Sequence, residues 1–217
     1  MKLISKNRLY SKNEPTREAD LIIIYCEGKE RENLYFNYFS EINSNIRIEV
    51  EAPEHDDDTS PIGLYCKAEK HIIKNDVNIN TKYELTNKDT VWFVIDTDSW
   101  KEKIDELRKN CATQTNWFVV QSNPCFEVWL FYHFYQYEEF EGMEVSKNWK
   151  PFVNRKISGG FDSRKHPILI KDAISNSKEK YNSILELGNT EVFMLAEKIL
   201  DFVKKELEEA LDSVKDK

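Results

Sequence analysis

Short, continuous apolar runs alternate along this chain with stretches in which apolar residues recur every three or four positions. The first pattern is typical of strands that are buried on both faces, and the second has the period of amphipathic helices. The runs predict four strands, which are Leu21 to Cys26, Ile46 to Glu51, Val91 to Ile95 and Asn116 to Gln121. The stretches between them predict helices over Glu32 to Ile42, Ile62 to Lys74 and Trp100 to Asn110. This alternation favours an α/β fold with a mostly parallel sheet flanked by helices.

A crowded aromatic run follows the last predicted strand. It extends from Phe126 to Tyr135 and is too dense for a single helical stripe, so it predicts a helix that is buried on most sides. Pro124 is expected to begin this helix and Asn123 to cap it. His133 lies in the same run, and we expect it to be packed rather than catalytic.

The rest of the chain is predicted to contain loops and then two helices. Residues 138–167 are rich in loop-forming residues, and the helices are expected over Ile168 to Leu187 and over Thr190 to Val214, where Thr190 would be the cap. We therefore divide the chain into an α/β core over residues 1–137 and a second region over residues 138–217. The second region combines a loop-rich basic segment with C-terminal helices packed on the core.

Composition narrows the class of protein. The chain has 217 residues, of which 40% are hydrophobic and 12% aromatic, enough to bury a full core. No apolar run approaches the roughly 20 residues that cross a bilayer, and the first residues lack the apolar core of a secretory signal. We expect a cytoplasmic protein without a membrane partner. The four cysteines lack the Cys-x-x-Cys spacing, which argues against a zinc site or a disulfide framework.

Acidic residues stand where three predicted elements begin or end. The strand Val91 to Ile95 stops at Asp96, which is followed by Thr97 and Asp98. Glu27 follows the first strand, and Glu127 lies one turn into the helix after Pro124. Parallel strands bring their carboxyl ends to one edge of a sheet, where α/β proteins place ligands. This spacing predicts a shared site for Glu27, Asp96, Asp98 and Glu127.

Each of these acids also has a structural interpretation. Asp98, or Ser99, could simply cap the next helix, Glu27 could belong to an ordinary turn, and Glu127 could be a surface acid at a helix start. Asp96 is harder to explain in this way, because an uncompensated acid beside consecutive apolar residues is unfavourable. A denser acidic segment runs from Glu51 to Asp58. It could hold a cation, but flanking prolines favour a solvated loop.

Basic residues are concentrated in one stretch of an otherwise acidic chain. The net charge is -8, which argues against a protein that coats nucleic acid through its overall charge. Residues 147–180, however, contain nine basic and three acidic residues. We predict that this stretch contacts phosphates, mainly through Arg155, Lys156, Arg164 and Lys165, and that Lys29 and Arg31 add further contacts. The alternative is a solvated surface, in which case the contacts would fall to Lys29 and Arg31 and the helix that follows them.

Three segments in order carry a resemblance to a known family. They are Glu27 to Phe36, Val94 to Asp98 and Ser122 to Leu130, and the Ser-Asn-Pro-Cys-Phe-Glu sequence in the third is the most specific. Together they resemble the RloB-like family, which is associated with abortive phage resistance and related to Toprim nucleases. The resemblance covers roughly Leu21 to Leu200, with a weaker echo from Gly188 to Val192. Arg31 departs from the family's first motif, which usually has threonine there.

The Toprim relationship implies a Toprim-like α/β core and a set of roles. It implies that Glu27 acts as acid or base and that Asp96 and Asp98 bind magnesium; we include Glu27 among the ligands. Chemistry agrees, because several carboxylates at one sheet edge would repel a phosphodiester unless divalent cations neutralise them. Hard oxygen ligands suit one or two Mg²⁺ ions, with Mn²⁺ as a substitute.

These observations predict a magnesium-dependent nuclease that cleaves RNA, with transfer RNA as one option, or DNA during anti-phage defence. The resemblance also implies an ATPase or sensor protein as a partner, and a homo-oligomer is left open. The alternative is a non-catalytic regulator that binds nucleic acid or a nucleotide and uses its acids to hold a structural cation.

Overall fold

Four parallel strands form the centre of the protein. The computed structural model describes residues 13–76, 78–97, 100–138, 140, 142–179, 181–183 and 185–215. The strands are β1 (Asp20–Cys26), β2 (Ile46–Glu51), β3 (Thr90–Asp96) and β4 (Trp117–Ser122), in the sheet order β2-β1-β3-β4. Each lies within about one residue of its predicted bounds, which confirms the predicted α/β fold. Helices follow the strands in the order α1 (Arg31–Asn37), α2 (Pro61–Ile72), α3 (Lys101–Cys111), α4 (Glu127–Phe131), α5 (Ser146–Lys156), α6 (Ile170–Lys178) and α7 (Val192–Lys215).

The sheet order creates a crevice between β1 and β3. The chain runs from β1 outward to β2 and then crosses back to place β3 on the other side of β1. Connections that leave in opposite directions open a gap at the carboxyl ends of the two central strands, which is the usual ligand position in such sheets. Glu27 and Asp96 lie at these two strand ends.

Helices cover both faces of the sheet. On one face, α2 and α3 pack against residues such as Ile23 and Phe93. On the other face, α1 and α4 to α7 pack against residues such as Ile24 and Val94. The central strands are therefore buried on both sides, which explains their continuous apolar sequence. Helices that precede residue 137 in the sequence and helices that follow it pack together in the core on this second face. The division of the chain into two regions at that residue remains a prediction.

The first helix is shorter than predicted. α1 ends at Asn37, whereas the apolar pattern predicted a helix to Ile42. Phe39 and Ile42 are buried as expected, but they follow the helix in a series of turns. Glu41 adopts a positive φ of 65°, which a right-handed helix does not allow. The apolar spacing therefore predicted correctly which side chains are buried, but it predicted too long a helix.

A helix lies in the region that was predicted to be loop-rich. α5 spans Ser146–Lys156 and contains Pro151, a residue that usually argues against a helix interior. Trp149 and Val153 are fully buried against α4 and its neighbours. An isolated helix of this length is only marginally stable in water, so α5 depends on the burial of these two side chains.

The next predicted helix is also shorter. A 3₁₀ turn over His166–Leu169 leads into α6, which ends at Lys178 rather than at Leu187. The segment after it has tertiary hydrogen bonds that a continuing helix could not make. The carbonyl of Leu185 accepts the side-chain amide of Asn123 at 3.2 Å, and that of Gly188 accepts the Tyr132 hydroxyl at 2.6 Å.

The predicted cap at Asn123 is wrong. α4 begins at Glu127, and its N-cap residue, Phe126, makes no capping bond through its side chain. Asn123 instead pairs with the returning chain, where its backbone N–H donates to the carbonyl of Asn189 at 2.9 Å. Thr190 does not occupy the predicted cap position either, because α7 begins at Val192 and Thr190 lies two residues before it. Its hydroxyl accepts the N–H of Val192 at 3.2 Å and forms a local turn just ahead of the helix.

The returning segment, residues 188–191, also covers the open edge of β4. Ser122 and Thr190 form an antiparallel bridge there, and their hydroxyl groups are 2.8 Å apart. Gly188 is required because its φ is +80° and because a Cβ would overlap the ring of Phe140. Within the described residues, no helix has the length and apolar character needed to cross a membrane.

Candidate functional site

Glu27 reaches from the end of β1 toward the end of β3. Its Oε1 accepts the indole N–H of Trp100 at 2.8 Å, and its Oε2 lies 3.4 Å from the backbone nitrogen of Asp96. The first contact fixes the carboxylate from the residue that precedes α3. The side chain therefore lies over the crevice between β1 and β3, as the sequence predicted, and not in an ordinary surface turn.

Asp96 is the acid most strongly affected by its surroundings. Burial raises its pKa well above the ordinary value, and the carboxylates of Glu32, Glu27 and Glu127 raise it further. The backbone N–H of Phe126 opposes them by favouring the charged form. A carboxylate close to three others in a shielded position is expected to hold its proton or to attract a cation.

Glu32 also belongs to the site, although the strand-end pattern did not predict it. It lies in the first turn of α1 and is only 7% exposed. Burial raises its pKa to about 7, with further contributions from Glu127 and Glu27. Gly28 makes the approach possible, because a Cβ there would overlap the Glu32 carboxylate. The available signal was a glutamate in the first turn of a predicted helix, a few residues after the Glu27-Gly28 pair.

Glu127 joins the site from α4. Its Oε1 accepts Nη1 of Arg31 at 2.8 Å, and the Glu127 side chain is 15% exposed. Cys125 packs beside it, and burial followed by the charges of Glu127 and Asp96 raises the pKa of that thiol. We call Glu27, Glu32, Asp96 and Glu127 the acid cluster. Glu27 directly follows β1, Asp96 ends β3, and the other two lie on α1 and α4. The charges of Glu27 and Glu127 raise the pKa of both Glu32 and Asp96.

The acid cluster matches the chemistry of a hard divalent cation. Its donors are carboxylate oxygens, and at least two of them are shielded acids with raised pKa values that a cation would stabilise. Across the described residues, no three histidine, cysteine, aspartate or glutamate side chains are already arranged as a metal site. Glu27 and Asp96 would hold the ion after side-chain adjustment. Asp98 lies outside the described residues, so its ligand role and its alternative as a helix cap both remain predictions.

Comparison with known families agrees with the motifs. A family model described as RloB-like protein matches residues 22–199, which is most of the chain. The chain belongs to the RloB-like family. The match begins in β1 and ends within α7, so it includes the acid cluster and the segment that covers β4. No curated protein and no solved structure matches the chain significantly.

The basic stretch of this RloB-like chain is largely paired with acids. Lys156 lies 2.8 Å from Glu138, and Arg164 and Lys165 both contact Asp162, at 3.0 and 3.6 Å. Further along, Lys171 and Lys178 pair with two glutamates of α7, Glu208 and Glu197. Arg155 is exposed and has no ion-pair partner among the described residues. The charge excess read from the sequence is therefore smaller on the folded surface.

The basic stretch lies next to the helices that carry two of the acids. α5 packs against α4, and Phe161, just beyond α5, contacts the ring of Tyr35 in α1 at 6.2 Å between centroids. Lys29 and Arg31 are nearer in sequence to the cluster. Lys29 is exposed, whereas Arg31 is held by Glu127. The substrate roles predicted for all these residues remain predictions.

The acidic segment from Glu51 to Asp58 divides into two parts. Burial alone would raise the pKa of Glu51, but hydrogen bonds from Lys82 and Tyr83 outweigh it and the pKa is lowered. His55 and Asp56 are almost fully exposed. The solvated-loop interpretation therefore holds for the loop, while Glu51 is a buried residue of β2 with its own partners.

Proposed function

We propose that this RloB-like protein is a magnesium-dependent nuclease that cleaves phosphodiester bonds of RNA or DNA in defence against phage. The observation that supports the proposal best is the position of Asp96, which lies at the crevice between β1 and β3 with three other carboxylates around it. Such clusters are unfavourable for folding, and acids whose pKa is strongly shifted by burial and neighbouring charges occur preferentially at functional sites. The resemblance to Toprim nucleases supports the same chemistry.

The side chains of the proposed site have different roles. Glu27 and Asp96 would hold an Mg²⁺ ion, and Asp98 is the expected further ligand. When bound, Mg²⁺ can activate a water molecule and stabilise the leaving oxygen. Trp100 keeps the Glu27 carboxylate oriented through its indole N–H. Glu32, with a pKa of about 7 in the metal-free protein, is suited to take up or release a proton near neutral pH.

Phosphate contacts come from basic side chains near the acid cluster and on the surface beyond it. Lys29 and Arg31 are the nearest in sequence, and Arg155, Lys156, Arg164 and Lys165 extend the surface beyond α4. Such contacts position the backbone of a nucleic acid but do not read its bases. An ATPase or sensor partner would keep the nuclease inactive before infection, and the protein would act as a nuclease in the cytoplasm after release.

The direct test is cleavage of end-labelled RNA and DNA by the purified protein. We expect cleavage with Mg²⁺ or Mn²⁺, none with a chelator, and none with Asp96→Asn at any metal concentration. The control variant is Asp105→Asn, which changes an exposed aspartate of α3 and should cleave like the wild type. Because a partner could restrain the purified protein, nucleic-acid ends should also be sequenced after induced expression of both variants.

A non-catalytic regulator is the competing function, and the Arg31–Glu127 ion pair favours it, since a guanidinium already neutralises one acid. In that case neither purified protein nor induced cells would yield new ends that depend on Asp96. The protein would still bind a divalent cation, and a nucleotide or nucleic acid, in calorimetry.

A further inference from the structure

We propose that Arg108, Gln121 and Glu191 are positioning residues for Thr97, the residue that follows β3. They lie on α3, on β4 and just before α7, respectively. A chain of hydrogen bonds runs from them to Thr97, which is covalently linked to Asp96 and to Asp98. The inference rests on the proposed metal-dependent function, because its importance follows from those two acids.

Thr97 is held more firmly than an ordinary loop residue. Its backbone N–H lies 2.9 Å from the carbonyl of Ser122 and 3.0 Å from that of Pro124. Its hydroxyl donates to the Ser122 carbonyl at 2.8 Å and accepts Nε2 of Gln121 at 2.8 Å. These bonds fix the backbone direction immediately after Asp96.

The orientation of the Gln121 amide depends on Arg108. Nη2 of Arg108 donates to Oε1 of Gln121 at 3.1 Å. A guanidinium has donors only, so it forces the amide oxygen toward itself and the NH₂ group toward Thr97. If Arg108 moved away, the amide could rotate and the hydroxyl of Thr97 would lose its donor.

Glu191 in turn holds Arg108. Its Oε2 lies 2.5 Å from Nη2 of Arg108 and 3.2 Å from the backbone nitrogen of Gln121, while its Oε1 accepts the Tyr181 hydroxyl at 2.9 Å. The carboxylate is 12% exposed. Its own N–H donates to the Gln121 carbonyl at 2.8 Å, which ties the covering segment of β4 to the same point. Glu191 therefore acts through Arg108 and Gln121 and does not join the acid cluster.

The network does more than complete the sheet. β3 and β4 are already paired along their length, from Val91 with Trp117 to Asp96 with Ser122. The series of side-chain hydrogen bonds instead extends beyond the last paired residues to Thr97. In metal sites, groups that orient the ligands typically change metal affinity or activity by about 10–100-fold when they are removed.

Two measurements test the inference. The first is amide hydrogen exchange of the peptide that covers residues 91–100, which needs no activity. The second is the Mg²⁺ concentration that gives half-maximal cleavage. In Gln121→Met and Glu191→Gln, we expect exchange of that peptide to accelerate by roughly tenfold and the required Mg²⁺ to rise by roughly tenfold or more, while cleavage recovers at saturating metal.

Matched variants separate positioning from general stability. Thr97→Val removes the hydroxyl and should accelerate exchange in the same peptide, whereas Thr97→Ser keeps the hydroxyl and should preserve its protection. Arg47→Ala breaks an exposed arginine–glutamate pair on β2, far from this network in the sheet order, and should change neither measurement. The melting temperature and the exchange of peptides from α2 are recorded for every variant.

The outcomes are decisive in each direction. Unchanged exchange over residues 91–100 in Gln121→Met and Glu191→Gln would overturn the inference. A uniform acceleration across the protein, with a lower melting temperature, would also overturn it, because the network would then only stabilise the fold. If the wild type cleaves no nucleic acid, the proposed function fails, but local exchange still decides whether these residues position Thr97.

Discussion

At the scale of single residues, negative charge in the acid cluster destabilises the metal-free fold but favours cation binding. The folded-state pKa of Asp96 lies well above its unfolded value. An acid with a raised pKa contributes less stability as pH rises through the shifted range, so the charged form of Asp96 destabilises the fold at neutral pH. The same charge favours a bound cation.

Asp96→Asn should therefore stabilise the metal-free protein and abolish cleavage. We expect the free energy of unfolding in chelator to rise by about 1 kcal/mol or more, since one pKa unit corresponds to about 1.4 kcal/mol. Denaturant unfolding at pH 7 measures this, with Asp105→Asn as the control. Asp98→Ala should also abolish cleavage. Wild-type rates in either variant would show that the Asp-x-Asp pair is not the metal site.

Arg31 compensates part of the same charge. Arg31→Thr removes the partner of Glu127 and leaves the acid cluster more negative, so Mg²⁺ should bind more tightly while substrate binding weakens. The difference in melting temperature between Mg²⁺ and chelator should widen by roughly 2–4 °C for each kcal/mol gained. Lys29→Ala, an exposed neighbour, is the control for charge alone. An unchanged difference in Arg31→Thr would mean that the ion pair does not oppose metal binding.

At the scale of elements, α1 and the segment after α4 are joined by a buried histidine. His133 Nδ1 lies 3.1 Å from the carbonyl of Trp129, and Nε2 lies 3.0 Å from the Tyr35 hydroxyl. The carbonyl can only accept, so Nδ1 carries the proton and Nε2 accepts from Tyr35. This confirms the expectation that His133 is packed. The joint helps to hold Glu32 on α1 near Glu127 on α4, which leads directly into this segment.

The joint should weaken at acid pH. Burial lowers the pKa of His133 to about 3. The neutral form contributes its full stability above the unfolded pKa of about 6.5, and the contribution is lost as pH falls from there toward 3. At pH 5 the loss should be about 2 kcal/mol. Glu32 shifts stability in the opposite direction over part of this range, so the comparison must be made between variants.

Unfolding of wild type and His133→Gln at pH 7 and pH 5 measures the effect. The variant should be less stable at pH 7 but should lose about 2 kcal/mol less than the wild type on acidification. His55→Gln, which changes an exposed histidine, should follow the wild type. Parallel pH profiles for His133→Gln and wild type would show that His133 is not held neutral by the fold.

At the scale of the whole molecule, nucleic-acid binding depends on how many basic residues are available. The four-fold variant Arg155→Ala, Lys156→Ala, Arg164→Ala, Lys165→Ala should flatten the dependence of log affinity on log salt by up to about 3.6, or about 0.9 for each phosphate contact. Lys156, Arg164 and Lys165 must leave acidic partners to contact phosphate, whereas Arg155 has no ion-pair partner among the described residues. Arg155→Ala alone should therefore already flatten the slope by about 0.9.

The measurement is a salt titration of one labelled substrate with each variant. Lys204→Ala together with Lys205→Ala on α7 provides a control for net charge. Binding should weaken before the rate at saturating substrate falls, because these residues position the substrate and lie apart from the acid cluster. Equal slopes for all variants would assign the basic stretch to solvated surface and direct attention to Lys29 and Arg31.

The sequence by itself determined the sheet and most of the acid cluster's location. An apolar run such as Val91 to Ile95 has its own local period, and a parallel sheet brings the carboxyl ends of its strands together whatever the helices do. Glu27, Asp96 and Glu127 could therefore be placed at one edge in advance. The family motifs added their expected roles.

Only the tertiary structure decided which side chains meet across that edge. Glu32 enters the site because Gly28 leaves room for it, and Arg31 pairs with a residue far along the chain. α5 forms because Trp149 finds a buried position, and α6 ends early because the carbonyls beyond it bind Asn123 and Tyr132. Such contacts join residues that are distant in sequence, and no local period records them, because their energy exists only after the elements have packed.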